Sequence, residues 1–307
     1  MSNWLKYSQA VVRNLHCRAL IVAGLSALCG TAMAQSEFAT PGDDDPQRTQ
    51  RVEPFEIIDG IYFVGARLHL PSYLFTTAEG HILMDTTYEE HVSAIAENIE
   101  KLGFAPADVK LLISTHAHHD HVGGHASMRE ITGATTLATA ADADVIRSGG
   151  ATDFRDRGTW APGIVDRIIQ DGEQVSLGHR VLTAHLTPGH TRGCTTWTTV
   201  VEEGDRQYDL VVLGGFRVNT NEPLIGHPDF PDMPQQFAYS FARLKILPAD
   251  VFLGAHGYWF NLKEKREQLL AGADTNPFID PDGYQRAIRY WEGAYLERLR
   301  QELSAGE

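Results

Sequence analysis

The sequence predicts an α/β fold with two strand-rich halves and amphipathic helices around them. Residues 55–85 contain short apolar runs separated by turn residues such as Asp59-Gly60, a pattern typical of antiparallel strands. Residues 89–102 then change to a helical period, which places their apolar side chains on one face. Residues 168–213 repeat the strand pattern of the first half, so we expect two groups of strands.

The first half is predicted to begin with a strand meander and then to alternate helices with strands. A hairpin is expected over 55–64, and Gly103 is expected to end the first long helix. The other elements predicted in this half are strands at 72–77, 81–85, 109–115 and 135–138, and helices at 123–131 and 140–148.

The second half is predicted to begin with an irregular stretch at 155–166, which contains Trp160. Long loops in compact enzymes often contact the substrate, so Trp160 is a candidate substrate-binding residue. The regular elements that follow are predicted as strands at 168–177, 180–186, 195–201, 210–213 and 251–254, and helices at 233–247, 262–270 and 282–303.

The first 34 residues are typical of a secretory signal peptide. A basic region precedes an apolar run at 19–28, and the small-residue site Ala32-Met33-Ala34 follows. The apolar run is shorter than the roughly 20 residues that a membrane span requires. We therefore predict cleavage after Ala34, a periplasmic location and no membrane attachment of the mature chain. Residues 35–54 are polar and are predicted to form a flexible segment ahead of a single domain over 55–307.

The composition excludes two classes of partner. The formal net charge is −14 at pH 7, and removal of the signal peptide would take away three basic residues, Lys6, Arg13 and Arg18, and no acidic ones. Nucleic acids and anionic membranes favour a basic surface, so neither is expected to bind this chain. Hydrophobic residues make up 43% of the 307 residues, which suits a sizeable core. The choice between a monomer and a homo-oligomer stays open.

The cysteines indicate no disulfide. Cys17 and Cys29 lie in the predicted signal peptide, so Cys194 would remain alone in the mature chain. Cys194 is predicted to be a small buried residue and not a metal ligand. Lipidation of Cys29 is the alternative to cleavage after Ala34, although Leu28 stands where lipoprotein signals have a small residue.

A histidine-rich stretch follows the predicted strand at 109–115 and is the strongest functional signal. His116, His118, His119 and His121 lie together with Asp120 within six residues. Imidazole and carboxylate groups bind borderline divalent metals such as zinc. His116 and His118 are two residues apart, so on an extended backbone they face the same side. Asp120 and His121 come after the turn and could reach a second ion, whereas His119 is predicted to point away.

Two further histidines also come directly after apolar strands. His190 lies in Thr187-Pro188-Gly189-His190-Thr191, and His256 lies in Leu253-Gly254-Ala255-His256-Gly257. Strand ends in a sandwich gather at one edge, so these distant segments are expected to meet the first histidine stretch there. The three segments together predict a metal centre.

The combination His-x-His-x-Asp-His, Thr-Pro-Gly-His-Thr and Gly-x-His-Gly resembles the metallo-β-lactamase superfamily. Further segments are similar to the class B β-lactamases of subclass B3, namely 72–77, 80–86, 98–104 and 276–280. The resemblance implies an αββα sandwich, in which two mostly antiparallel β-sheets pack face to face with helices on both outer sides. It also implies two Zn²⁺ per chain, the first held by His116, His118 and His190 and the second by Asp120, His121 and His256.

The same resemblance implies a reaction and a small-molecule substrate. A zinc-bound hydroxide would attack the amide carbonyl of a β-lactam, since zinc lowers the pKa of bound water to about 7. Asp120 would orient that hydroxide and is the catalytic residue. The substrates would be penicillins, cephalosporins or carbapenems, and the outcome would be antibiotic resistance.

The stretch Gly214-Gly215-Phe216-Arg217 departs from the pattern of several relatives. Superfamily members that hydrolyse thioesters or phosphodiesters generally have an aspartate here that bridges both metals, and its absence disfavours those activities. Many subclass B3 enzymes resemble Ser-x-Ser at this point, so the substrate contacts must differ. Arg217 is a candidate partner for a β-lactam carboxylate. The alternative function is a dizinc hydrolase of the same fold that acts on a lactone, ester or other amide, with weak β-lactamase activity.

Overall fold

The computed structural model describes residues 37–155, 157–219 and 221–305. The predicted signal peptide and its cleavage site lie outside the described residues. Two β-sheets and eight α-helices are formed by the described residues. The helices are α1 Pro46–Thr49, α2 Val92–Lys101, α3 His119–Val122, α4 His125–Thr132, α5 Ala140–Arg147, α6 Met233–Leu244, α7 Leu262–Leu270 and α8 Pro281–Ala305. None of these helices is both long and apolar enough to cross a bilayer.

The first sheet has seven strands whose spatial order follows the chain. They are β1 Phe55–Ile58, β2 Ile61–Phe63, β3 Tyr73–Thr77, β4 Gly80–Met84, β5 Val109–Ile113, β6 Thr135–Thr139 and β7 Arg167–Ile169. Strands β1 to β4 pair antiparallel, whereas β4 to β7 pair parallel. Parallel neighbours need a crossover, which α2, α4 and α5 provide. This sheet is therefore mixed, with three antiparallel and three parallel pairs, whereas a mostly antiparallel sheet was expected.

The second sheet has five strands in the order β12-β11-β10-β9-β8. They are β8 Gln174–Leu177, β9 Arg180–Leu186, β10 Thr195–Glu203, β11 Arg206–Leu213 and β12 Val251–Gly254. The stretch predicted as strand over 168–177, around Asp171-Gly172, is divided between the sheets, with β7 in the first and β8 in the second. Gly172 at φ +77° makes the turn between them, and a left-handed conformation there ends the extended run.

The core confirms the predicted sandwich of two sheets between helices. Tyr73 and Phe75 belong to the core cluster shared with Trp197 of the second sheet, whereas Leu74 packs with Ile95 of α2. Neighbouring side chains on a strand point to opposite faces, so β3 has one face toward the other sheet and one toward a helix. On the second sheet, α8 contacts β12 and α6.

Residues 38–54, which precede β1, pack against the domain, whereas a flexible segment was predicted for 35–54. Phe38 and Val52 are buried, and the Phe38 ring centroid lies 5.1 Å from that of Tyr290. The carbonyl of Gln47 accepts hydrogen bonds from the backbone N and the Nδ1 atom of His69. Buried apolar side chains and hydrogen bonds together hold the segment, and each buried side chain contributes by removing apolar surface from water.

Strand ends from both sheets meet at the edge where the histidines lie. Because β4 and β5 are parallel, their carboxyl ends share one edge, and the chain continues there into Asp85 and into the segment of His116. The parallel pair β11 and β12 ends similarly, with His256 two residues beyond β12. His190 lies in the connection from β9 to β10.

Candidate metal centre

Three histidines form a compact group at this edge. The nearest ligand atoms of His116, His118 and His190 all lie within 4.8 Å of one another. Their side chains are buried, and His116 Nε2 and His118 Nε2 have no hydrogen-bond partner among the described residues. A buried polar atom without a partner costs free energy, so these nitrogens fit a bound metal ion.

A second group shares His116 with the first. Ligand atoms of His116, Asp120 and His121 also lie within 4.8 Å of one another. Asp120 Oδ2 is 3.5 Å from His121 Nε2 and 3.8 Å from His256 Nε2. The structure thus brings together all six residues that were expected to bind metal, and it places His256 beside the second group.

The segment that carries Asp120 and His121 is helical and not a loop. We expected one helix at 123–131, but α3 forms first and α4 follows after Gly123-Gly124. A Cβ atom on Gly124 would overlap Val92 and lie 3.1 Å from the carbonyl oxygen of Thr86. The close approach to α2 separates the two helices and turns α3 toward the metal centre.

The histidines are held in the form that binds a metal. Burial lowers the pKa of His116, His118 and His256 well below the usual value and lowers the pKa of His190 to about 4. Their imidazoles are therefore neutral at pH 7, and a neutral imidazole has a lone pair to donate. Nitrogen and carboxylate donors of this kind suit zinc and related divalent ions.

Hydrogen bonds to the Nδ1 atoms orient the histidine ligands. His190 Nδ1 donates to the carbonyl of Arg217 at 2.7 Å, and His121 Nδ1 donates to Asp85 Oδ2 at 2.9 Å. Thr115 Oγ1 donates to the same carboxylate and lies 3.2 Å from His116 Nδ1. Because Nδ1 carries the hydrogen, Nε2 presents its lone pair to the centre.

Asp85 is a residue that the sequence reasoning missed. It is fully buried directly after β4, and its Oδ1 also accepts the backbone N–H of Thr115 at 2.7 Å. Its φ of +60° is unusual for a residue with a side chain and aims the carboxylate toward β5. A carboxylate placed directly after the apolar run Ile82-Leu83-Met84 was the available signal.

Replacement of Asp85 by alanine is expected to destabilise the metal-free protein by at least about 3 kcal/mol. The change leaves three buried donors without an acceptor, and each such group costs about 1–3 kcal/mol. Urea unfolding of the metal-free variant measures the loss. The matched control is Asp108→Ala, which removes a carboxylate paired with Lys110 at 3.7 Å on the exposed end of β5. Equal stabilities of the two variants would contradict this role.

The metal-free protein is expected to lose stability as the pH falls below about 6.5. Burial lowers the pKa of His125 and of His190 to about 4 in the folded chain, against an ordinary value of 6.5. Between those values the unfolded chain binds more protons, so stability falls with pH in this window. At pH 5.5 each histidine should remove about 1 kcal/mol relative to pH 7.5. Chemical unfolding at the two pH values measures this, and no difference would refute it.

A cavity of about 140 Å³ opens onto the metal centre. Arg217 lines it, as expected of a substrate-binding residue, and its Nη1 donates to Thr40 Oγ1 at 3.0 Å and to Tyr258 Oη at 3.2 Å. Arg48, Arg155, His69 and Asn219 also line the cavity and were not recognised in the sequence. They come from segments far apart in the chain, so no local pattern marks them.

Trp160 lies outside the described wall of the cavity, and its role as a substrate contact stays a prediction. Its ring stacks on His119 at a centroid distance of 5.3 Å and an interplanar angle of 5°. His119 accordingly faces the loop that carries Trp160, away from the two groups of ligand atoms. Cys194 is buried, and burial raises the pKa of its thiol to about 12, so it stays protonated at neutral pH.

The sandwich and the histidine–aspartate centre at its edge define a metal-binding hydrolase. The family model described as the metallo-beta-lactamase superfamily matches residues 68–201. The chain is similar to the native FEZ-1 metallo-beta-lactamase from Legionella gormanii, with a TM-score of 0.80 and 38% identity over 82% of this chain and 97% of that one. It is also similar to BJP-1, a subclass B3 metallo-beta-lactamase of Bradyrhizobium japonicum, with a TM-score of 0.79 and 34% identity over 87% and 100% of the two chains. The chain belongs to the metallo-β-lactamase superfamily, and these neighbours agree with subclass B3.

Curated relatives include hydroxyacylglutathione hydrolases. The protein of that name from Pseudomonas aeruginosa (strain LESB58) is 31% identical over 144 residues, which are 45% of this chain and 43% of that protein. The one from Chelativorans sp. (strain BNC1) is 33% identical over 115 residues, 38% and 36% of the two chains. This chain thus spans less than half of the length of these relatives.

Proposed function

We propose that this chain is a periplasmic zinc β-lactamase that confers antibiotic resistance. Two Zn²⁺ would be held, the first by His116, His118 and His190 and the second by Asp120, His121 and His256. The enzyme would open the amide bond of penicillins, cephalosporins or carbapenems.

The close approach of Gly215 to His190 is the observation that carries this proposal. A Cβ atom on Gly215 would overlap the His190 ring and lie 2.9 Å from Cys194 Sγ. No side chain fits there, so the bridging aspartate of thioester and phosphodiester hydrolases cannot be present in this backbone. The backbone at the end of β11 therefore supports a β-lactamase over a glutathione thioesterase.

The extent of similarity supports the same choice. The two β-lactamase structures cover 82% and 87% of this chain, beyond the segment shared with the hydroxyacylglutathione hydrolases. The alignments with several such hydrolases cover between 26% and 63% of this chain.

The residues around the centre have separate roles in the proposed reaction. Zinc, when bound, lowers the pKa of a coordinated water and polarises a carbonyl. The Asp120 carboxylate lines the cavity and is placed to accept a hydrogen bond from a water and orient it. Phe216 is buried against Trp259, with ring centroids 4.6 Å apart, so it cannot replace the serine that many B3 enzymes have nearby. Arg217 is left to pair with the substrate carboxylate.

The second candidate is a metal-dependent hydrolase of a lactone, thioester or other ester, which the curated relatives favour. Turnover by the purified, zinc-loaded protein separates the two. We expect rapid opening of nitrocefin and a carbapenem, and slow or no cleavage of S-lactoylglutathione and of a homoserine lactone. The chelated protein should be inactive on all four. Cleavage of the thioester or lactone without opening of either β-lactam would overturn the proposal.

A further inference from the structure

The cavity over the metal centre has more positive charge than one β-lactam carboxylate requires. Arg48, Arg155 and Arg217 all line it, and Asp120 is the one carboxylate among the described lining residues. This concentration of guanidinium groups occurs in a chain whose formal net charge is −14. A common penicillin has a single carboxylate, so one arginine satisfies it.

Arg217 and Arg48 already have interaction partners within the chain. Arg217 is hydrogen-bonded to Tyr258, whose ring centroid lies 5.5 Å from that of His256, so it faces the second group of ligands. Arg48 lies 3.7 Å from Asp43 Oδ1, a carboxylate in the same segment.

Arg155 lies on the side of the cavity near His118, a member of the first group of histidines. The ring of the preceding residue, Phe154, is 6.5 Å from the His118 ring. The Arg155 Nη1 atom donates to the neutral Asn219 Oδ1 at 3.3 Å. Arg155 thus places a positive charge on the cavity wall, beside a neutral amide.

The loop that carries Arg155 is anchored by Trp160. The indole stacks on His119, and a Cβ atom on Gly150 would lie 3.0 Å or less from its ring atoms. Gly150 has φ of +87°, so the backbone there can turn closely around the indole. Trp160 is accordingly a positioning residue for this loop.

We propose that Arg155 binds a second anionic group on the substrate, so that the enzyme prefers β-lactams with a carboxylate on the acyl side chain. The proposal rests on the proposed β-lactamase function. The ring carboxylate would pair with Arg217 and the amide would lie at the metal centre. The acyl side chain would then reach the guanidinium of Arg155, where a charge-assisted hydrogen bond stabilises its carboxylate.

A matched pair of penicillins tests this preference. Carbenicillin and benzylpenicillin differ by one carboxylate on the same phenylacetyl side chain. We expect the wild-type kcat/KM ratio of carbenicillin to benzylpenicillin to fall about tenfold in Arg155→Ala, since one charged hydrogen bond is lost. The same ratio should fall similarly in Arg155→Gln, whose side chain can still hydrogen-bond to Asn219. A fall in this variant is therefore caused by the lost charge and not by a disturbed loop. Arg157→Ala is the control. Arg157 lies in the same loop as Arg155, is exposed and pairs with Asp229 at 3.2 Å.

Salt dependence gives an independent readout. Raising the ionic strength from about 0.05 M to about 0.5 M should lower the ratio in the wild type and leave it nearly constant in Arg155→Ala, because salt screens exposed charges. If both penicillins are opened and the ratio is the same in wild type, Arg155→Ala and Arg155→Gln, the inference about Arg155 fails alone. If the wild type opens neither penicillin but cleaves a thioester or lactone, the proposed function fails and this inference fails with it.

Discussion

Replacement of Asp120 by asparagine is expected to lower kcat for β-lactam opening by about 10²–10⁴-fold, the usual contribution of a positioned acid–base group. The side chain keeps its shape but loses its charge and one acceptor function. Asp120 is the one anionic donor among the described residues that line the cavity, and it lies 3.5 Å from His121 Nε2 and 3.8 Å from His256 Nε2. Two neutral imidazoles alone leave a divalent ion without charge compensation, so the second metal should also bind more weakly.

Metal analysis and steady-state kinetics on the same preparation separate these two effects. We expect the wild type to contain two zinc ions and Asp120→Asn to lose part of the second after dialysis. The kcat defect should persist when zinc is restored in excess, because the orienting carboxylate is still missing. Asp144→Asn is a suitable control, since Asp144 is an exposed residue of α5 whose carboxylate lies 4.0 Å from Arg147 Nη1. Wild-type kcat in Asp120→Asn at full metal content would refute the catalytic role.

Replacement of Gly215 by alanine or aspartate is expected to displace His190 and to lower β-lactam turnover more than about 100-fold. A Cβ atom there would overlap the His190 ring and lie 2.9 Å from Cys194 Sγ. His190 Nδ1 is held by the Arg217 carbonyl at 2.7 Å, so a shift of the backbone at 215 also disturbs the bond that orients this ligand. Displacement of a catalytic group by about 1 Å can cost about 10² in rate.

The matched control for this substitution is Gly293→Ala on the long helix α8. A Cβ atom at Gly293 would meet nothing within 4 Å, so the variant should keep full activity and gain up to about 1 kcal/mol of stability. Zinc content of Gly215→Ala reports on the first metal site directly. If Gly215→Asp kept both zinc ions and acquired thioesterase activity, the steric argument against a bridging carboxylate would be wrong.

Much of the metal centre was predictable because its ligands lie in short local patterns. His116, His118, Asp120 and His121 are close in sequence, and His190 and His256 each follow an apolar strand within a few residues. A strand that ends at the edge of a sheet places the next residues at that edge. This placement does not depend on the contacts of distant segments. The hairpin at Asp59-Gly60 and the amphipathic helix α2 were predictable for the same local reason.

The parts that were missed depend on contacts between distant segments. The parallel pairing of β4 to β7 depends on how the crossover helices pack, and residues 38–54 are held in part by two apolar side chains that meet the domain far along the chain. Asp85 acquires its role only because β4 and β5 are neighbours, and the stacking of Trp160 on His119 has no local signature in the sequence.

The sequence by itself therefore determined the αββα class and the identity of six clustered donor residues. Only the tertiary structure decided which acceptors orient those donors, why Gly215 admits no side chain, and that Arg48, Arg155 and Arg217 share one cavity. The physical reason is the distance along the chain over which each effect acts. Residue type and strand or helix period act over a few residues, whereas burial, ligand orientation and cavity charge are sums over groups that folding brings together.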